Sequence, residues 1–153
     1  MSPTSAGTAA ARLRLKPEIA ASGHVDGAWW PRTTEPASEF PDLVRAASAR
    51  LGVISRISYN PDVWEAAADR MTVHGQNVAV TGFRSLQPNT VRLNGPDRWL
   101  VSLLVIPPGT PDRQAEAVLA AAADPWTLLA VPDLLNAHGI PSDLVRDTIP
   151  RQR

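Results

Sequence analysis

The chain has 153 residues, of which 44% are hydrophobic, and it contains no cysteine. This length fits one domain, which buries about 70% of the surface of its unfolded chain and so needs no crosslink to support a core. The absence of cysteine excludes disulfides, zinc–thiolate sites and thiol catalysis. Fifteen basic and fifteen acidic residues cancel, which argues against nucleic-acid binding through bulk charge.

The N-terminal segment, residues 1–11, is small and polar, and we expect it to be a disordered lead-in. It has no basic start and no apolar stretch of the kind that a secretory signal needs. No apolar run reaches the roughly 18 residues that would span a bilayer. We therefore expect a soluble, cytoplasmic protein that makes no membrane contact.

Polar and apolar side chains alternate from Arg12 to Lys16. This period of two predicts a half-buried strand whose outward side chains are cationic, an arrangement that protects a sheet edge. A second short strand is predicted at residues 27–31, and it carries Trp29 and Trp30.

The first helix has clear signals at both ends. Ser38 can cap it, Pro41 falls in its first turn, and apolar residues recur at helical spacing up to Gly52, which supplies the stop. β-branched residues then predict a third strand at 53–59. Residues 60–68 begin with Asn-Pro and fit either a short helix or an extended loop.

Further strand-sized segments follow at close spacing, separated by turn signals, at residues 70–74, 77–84, 89–94 and 98–106. This spacing predicts a meander of antiparallel strands. Within the last of these segments, residues 100–106 are largely apolar on both faces, which is typical of a central strand.

Thr110-Pro111-Asp112 has the cap, proline and acid that begin a second helix, and Asp124-Pro125 ends it. The sum is one α+β domain over residues 12–124, with a curved, mainly antiparallel sheet of about six strands and two main helices on one face. Residues 125–153 form a predicted C-terminal arm. It carries a short helix up to His138 that packs on the domain, and we expect the tail beyond to be mobile.

The motif Asp-Gly-Ala-Trp-Trp-Pro-Arg at residues 26–32 is unusual in a chain with so few aromatic residues. One interpretation is structural: Trp29 and Trp30 alternate across a strand, one in the core and one against a neighbouring loop. The other is functional, with one indole lining a groove beside Asp26 and Arg32. Tryptophan and arginine are enriched at binding hot spots, which supports the second interpretation.

Four segments together resemble an uncharacterised actinobacterial domain-of-unknown-function family of small proteins. They are Arg-Leu-Arg-Leu-Lys-Pro at 12–17, the tryptophan motif at 26–32, Val-x-Gly-Phe at 80–83 and Leu-Leu-Val-Ile-Pro-Pro-Gly-Thr at 103–110. The resemblance covers residues 12–122. It implies an actinobacterial source and implies no activity.

The residues that commonly carry catalysis or bind metals are scattered. The histidines His24, His74 and His138 lie far apart, and none has a partner at metal-ligand spacing. Ser22, His24 and Asp26 are loop neighbours and do not make a catalytic triad. Glycine-rich phosphate loops are absent from the sequence, and we predict neither a metal nor a cofactor.

Two other groups of charged residues leave alternatives open. A carboxylate pair for glycoside hydrolysis can be drawn from the acidic residues of the N-terminal third, but it requires a defined separation. These residues are Glu18, Asp26, Glu35 and Glu39. Arg84, Arg92 and Arg98, with Trp99, form either a patch for single-stranded nucleic acid or the solvated face of the strands.

From the sequence we expect a non-enzymatic binding or interaction module whose surface consists of Asp26, Trp29, Trp30 and Arg32. Its partner is a protein or a small molecule of unknown identity. The first alternative is a small-molecule enzyme that uses the same groove, with Asp26 or a histidine as acid and base. The second is weak RNA binding through the arginine-bearing strands. A convergent set of titratable groups would favour the enzyme, and the sequence shows none.

Overall fold

A computed structural model describes residues 12–17, 25–96, 99–124 and 129–140, which form seven strands and three helices. The strands are β1 (Arg12–Leu15), β2 (Gly27–Trp30), β3 (Arg56–Tyr59), β4 (Arg70–Val73), β5 (Gln76–Gly82), β6 (Thr90–Asn94) and β7 (Leu100–Val105). The helices are α1 (Pro36–Leu51), α2 (Asp112–Ala123) and α3 (Val131–Ala137). The predicted lead-in at 1–11 and the predicted mobile tail after Ile140 lie outside the described residues.

The strands form one mixed sheet in the order β1-β2-β7-β6-β3-β5-β4. The pairs β2–β7 and β3–β5 are parallel, and the other neighbours are antiparallel. The predicted α+β class is confirmed, with seven strands instead of about six. The predicted meander is interrupted, because β3 inserts between β5 and β6 and leaves only the hairpins β4–β5 and β6–β7.

Helix α1 lies on one face of the sheet, and α2 and α3 lie on the other. The expectation that α1 and α2 share one face was therefore wrong. Phe40 and Leu43 of α1 pack with Leu103 of β7 in one cluster, which we call the first core. Leu104 of β7 faces the other way and packs with α2 and α3 in the second core. Because the central strand is apolar on both sides, each side needs its own covering layer.

The ends of α1 show how local chemistry places the elements. The helix begins at Pro36, a residue suited to a first turn because its missing N–H has no helical partner there. Ser38 does not cap it, since its hydroxyl donates to the Glu35 carboxylate at 3.1 Å. Gly52 ends it at a φ of 87°, a positive value that glycine adopts far more easily than other residues.

The segment after β3 is a turn and not a helix. The Asn60 side-chain oxygen accepts the backbone N–H of Asp62 at 2.8 Å, which closes the turn around Pro61. The predicted double-sided burial of β7 fails at its first residue, Leu100, which is 47% exposed, and Ser102 is only half-buried. Within the described ranges, no helix is long and apolar enough to cross a membrane.

Candidate functional site

Strand β2 sends its two tryptophans to opposite faces of the sheet. Trp29 is 1% exposed and stacks on Trp64, with ring centroids 5.5 Å apart and planes 10° from parallel. Trp30 belongs to the second core, is 4% exposed, and donates its indole N–H to the Pro108 carbonyl at 3.3 Å. Both rings are therefore interior, and the second ring is covered almost as fully as the first.

The cation beside Trp30 comes from β1. The Arg12 guanidinium lies 3.6 Å from the centroid of the Trp30 ring. It also donates to the carbonyls of Trp30 at 3.0 Å and Pro31 at 3.2 Å. This arrangement combines a cation–π contact with charge-assisted hydrogen bonds, and it fixes the edge strand to its neighbour.

Asp26 connects the start of β2 to β7. Its carboxylate accepts the backbone N–H of Ser102 at 2.8 Å, and its own N–H donates to the Ser102 carbonyl at 2.8 Å. Burial raises the pKa of the Asp26 carboxyl, while the Ser102 hydrogen bond and the nearby Lys16 oppose that shift. Lys16 itself is buried and does not point outward as the alternation predicts, because β1 ends at Leu15 and the chain turns towards Asp26.

Arg32 is exposed in the turn that follows β2. That turn is held by Glu39 of α1, a buried residue that accepts the backbone N–H of Arg32 at 3.2 Å and the Thr33 hydroxyl at 2.8 Å. The structure therefore distributes the four candidate residues over two faces and two turns. It gives Trp29 and Trp30 structural contacts and does not bring them to one surface.

A cavity of about 730 Å³ lies instead over β3 and β6, on the face that α2 and α3 cover elsewhere. We call it the open-face cavity. Its described lining residues are Ser55, Arg56, Ser58, Phe83, Ser85, Leu86, Gln87, Arg92, Asn94, Gly95 and Leu100. None of these is acidic. In the register of the two strands, Arg56 lies opposite Asn94 and Ser58 lies opposite Arg92, so all four belong to the same face.

The floor of the open-face cavity carries polar groups without partners. Arg56 and Arg92 are exposed, and neither side chain makes a hydrogen bond or ion pair with the described residues. Ser58 is 6% exposed, and its hydroxyl likewise has no hydrogen-bond partner in the described part of the chain. The Ser58 oxygen is not among the fully buried side-chain atoms that lack a partner, so it is accessible from the cavity to a ligand or to solvent.

A turn after β5 forms one wall of the open-face cavity. Phe83 pairs with the end of β3 by donating its N–H to the Tyr59 carbonyl at 2.8 Å. The buried Asn60 side chain holds the turn from behind, since its amide donates to the Leu86 carbonyl at 2.8 Å. The Phe83 ring remains 44% exposed at the cavity.

Of the arginines singled out in the sequence, Arg92 lines this cavity. Arg84 forms an ion pair with Asp62, and Arg98 lies outside the described residues. Trp99 packs on the first core and covers Gly95. Sequence reasoning missed Arg56, although β3 alternates Arg-Ile-Ser-Tyr and this pattern indicates one polar face.

The other candidate residues do not gather at this cavity. His74 lies in the β4–β5 turn, and the His138 ring contacts the Leu134 carbonyl at 3.0 Å. Glu18, Ser22 and His24 lie outside the described residues. Within residues 12–17, 25–96, 99–124 and 129–140, no group of three or more His, Asp or Glu side chains is arranged to hold a metal ion.

The chain belongs to a family of unknown function, DUF5994, whose family model matches residues 12–122. The match includes all seven strands, α1 and nearly all of α2, and α3 follows it. Neither the comparison with curated proteins nor that with solved structures finds a match.

Proposed function

We propose that this member of a family of unknown function is a non-enzymatic binding module that holds a small anionic ligand in the open-face cavity. The observation that carries the proposal is the pair Arg56 and Arg92, which line one concavity without an acidic neighbour among its described lining residues. The tryptophan motif serves this function indirectly, since its indoles build the two cores on which the sheet rests.

Electrostatics favours an anion at this place. Arg56 and Arg92 lie on adjacent strands, two residues apart in register, so their positive charges repel each other across the pair. An anion between two guanidinium groups removes that repulsion and accepts bidentate hydrogen bonds from planar donors. Because the chain as a whole is neutral, the attraction is local to the cavity.

The composition of the lining supports binding rather than catalysis. Its titratable side chains among the described residues are arginines, and a guanidinium keeps its proton in proteins and cannot act as a general base. The serines of the lining have no histidine or carboxylate beside them in that set to activate a hydroxyl. These groups can bind and orient an anion, and they supply no acid–base pair.

The size of the cavity supports a small ligand. A volume of about 730 Å³ falls within the range of about 300–1,000 Å³ that small-molecule sites occupy. Single-stranded nucleic acids instead require a basic groove that tracks several phosphates. We therefore place RNA binding, the third expectation from the sequence, among the outcomes of the test.

The proposal is tested by titrating isotopically labelled protein with inorganic phosphate while backbone amide shifts are recorded. Ionic strength is held constant with chloride, because a change in salt screening would by itself alter the interactions of exposed charges. We expect saturable shifts in β3 and β6, and about tenfold weaker binding in Arg56→Gln and in Arg92→Gln, because each variant removes charge-assisted hydrogen bonds. Arg113→Gln, which removes an exposed arginine of α2, serves as the control.

Saturable binding that Arg113→Gln leaves unchanged and the two cavity variants weaken supports the proposal. Shifts that are absent, or that all three variants reduce equally, overturn it. Tight binding of a short RNA that persists at physiological salt, with no binding of phosphate, assigns the face to nucleic acid instead.

A further inference from the structure

From the open-face cavity we infer that the anionic ligand is a nucleoside phosphate, with its phosphate on Arg56 and Arg92 and its base on Phe83. This inference rests on the proposed anion binding and adds the class of ligand. Three features carry it: the number of donors on the cavity floor, the exposed aromatic ring in the wall, and the distance between them.

The floor offers more donors than a carboxylate uses. One guanidinium satisfies a carboxylate in a bidentate pair. Here two guanidinium groups, Arg56 and Arg92, share the floor with the unpartnered hydroxyl of Ser58 and the amide of Asn94. A phosphate has three or more acceptor oxygens and a greater charge, so it matches this set of donors.

The wall adds a flat apolar surface. The exposed large apolar side chains of the described residues are Val53, Phe83, Leu100 and Leu129. Two of these, Phe83 and Leu100, line the same cavity as the arginines, and Phe83 is the aromatic one. An aromatic ring next to a phosphate site is a stacking surface for a nucleobase, and such stacking contributes substantially to binding.

The separation between the two ends suits a single nucleotide. Phe83 directly follows β5, and β5 is two strands away from β6, which carries Arg92. This separation is about 10 Å across the sheet. Phe83 lies two residues after Thr81, which is the partner of Ser58 in the β3–β5 pair. These two residues add about 7 Å along the strand direction. The backbones are thus on the order of 12 Å apart, and the side chains from both ends shorten the gap that a ligand must bridge.

The inference is tested by amide-shift titrations of the whole chain with inorganic phosphate, adenosine, adenosine monophosphate and a short oligoadenylate at fixed ionic strength. We expect the monophosphate to bind at least about tenfold more tightly than inorganic phosphate or adenosine alone. Phe83→Ala should weaken binding of the monophosphate by about tenfold and leave inorganic phosphate unchanged. Arg92→Gln should weaken both.

Three controls separate the outcomes. Phe83→Leu keeps an apolar side chain without a ring, so affinity close to wild type in this variant would contradict stacking. Val53→Ala truncates an exposed apolar residue that is not among the cavity's lining residues and should change nothing. Circular dichroism of each variant shows whether the fold is kept, which we expect because Phe83 is well exposed.

Equal affinities for phosphate and the monophosphate, with Phe83→Ala silent, would overturn the nucleoside phosphate and leave the anion site standing. Failure of every ligand to bind would overturn both proposals. An oligoadenylate that binds more than about a hundredfold more tightly than the monophosphate would replace the nucleotide by single-stranded nucleic acid.

Discussion

Trp29 and Trp30 are sequence neighbours whose indole rings lie on opposite faces of the sheet, one in each core. The backbone of β2 separates them, and both rings are almost completely buried. The tandem tryptophan therefore fixes one strand to two layers at once, α1 on one side and α2 with α3 on the other. This double structural role is a physical reason for so conspicuous a motif in this strand.

We expect Trp29→Ala and Trp30→Ala each to lower the free energy of unfolding by about 3–5 kcal/mol, because each removes a large buried ring and leaves a cavity. Urea denaturation followed by circular dichroism measures both values. The structure corrects the idea that only one ring is fully buried, so a nearly silent substitution at either position would contradict this arrangement of two cores.

Arg12 should stabilise the protein although it lies in an edge strand. Arg12→Gln loses the cation–π contact with Trp30 and the hydrogen bonds to two carbonyls, and we expect a loss of about 1–2 kcal/mol in unfolding free energy. Arg14→Gln is the matched control, because its ion pair with Glu116 is long, at 3.6 Å, and exposed and should contribute about 0–1 kcal/mol. Equal losses in the two variants would show that Arg12 acts only through its charge.

Gly27 is required by the close approach of β1. A Cβ at this position would lie 2.1 Å from the Arg14 carbonyl oxygen, and backbone cannot yield without breaking the β1–β2 pair. We expect Gly27→Ala to lower the unfolding free energy by about 3 kcal/mol or more. In Gly109→Ala the new methyl group meets nothing within 4 Å, so thermal denaturation of this variant should resemble that of wild type.

Asp26 predicts a specific dependence of stability on pH. Its pKa is raised in the folded state, chiefly by burial, so the folded protein takes up this proton more readily than the unfolded chain. The carboxyl group therefore favours folding below its ordinary pKa of 3.8, and this contribution is lost as pH rises through the raised pKa.

The measurement is the difference in unfolding free energy between wild type and Asp26→Asn across the acid range. Asparagine keeps an acceptor for the Ser102 N–H and has no charge to bury, so the difference should move in favour of wild type as pH falls from neutral. Asp42→Asn, on the partly exposed surface of α1, shows whether removing any carboxylate has the same effect. A difference that moves the other way would mean that the hydrogen bond outweighs burial.

Signals local in the sequence predict most of the elements but not their order. The prolines, glycines and apolar periodicity around α1 and α3 depend on neighbouring residues, and those helices lie close to their predicted positions. The insertion of β3 between β5 and β6 depends on parallel pairing over some twenty residues of chain, and no local pattern encodes it. An antiparallel meander was the simplest interpretation of the turn signals.

The need to cover both faces of the sheet could be predicted in part from the sequence. Leu103 and Leu104 point in opposite directions and are both apolar, and such a strand needs cover on both sides, which conflicts with the prediction of two helices on one face. The open-face cavity was less accessible to prediction, because Arg56 and Arg92 are thirty-six positions apart and meet only through the β3–β6 pair. Arg92 was a candidate from the sequence as part of a basic patch, whereas Arg56 was not.

The late position of β7 in the chain determines when this protein can fold during synthesis. This strand lies between β2 and β6, so the N-terminal hairpin of β1 and β2 joins the rest of the sheet only after residue 105 has left the ribosome. Until then the backbone edge of β2 that later pairs with β7 has no partner strand, and Trp30 is not yet covered by α2. Nascent chains shorter than this are expected to need a chaperone at the tunnel exit, because they expose apolar surface and an unpaired strand edge.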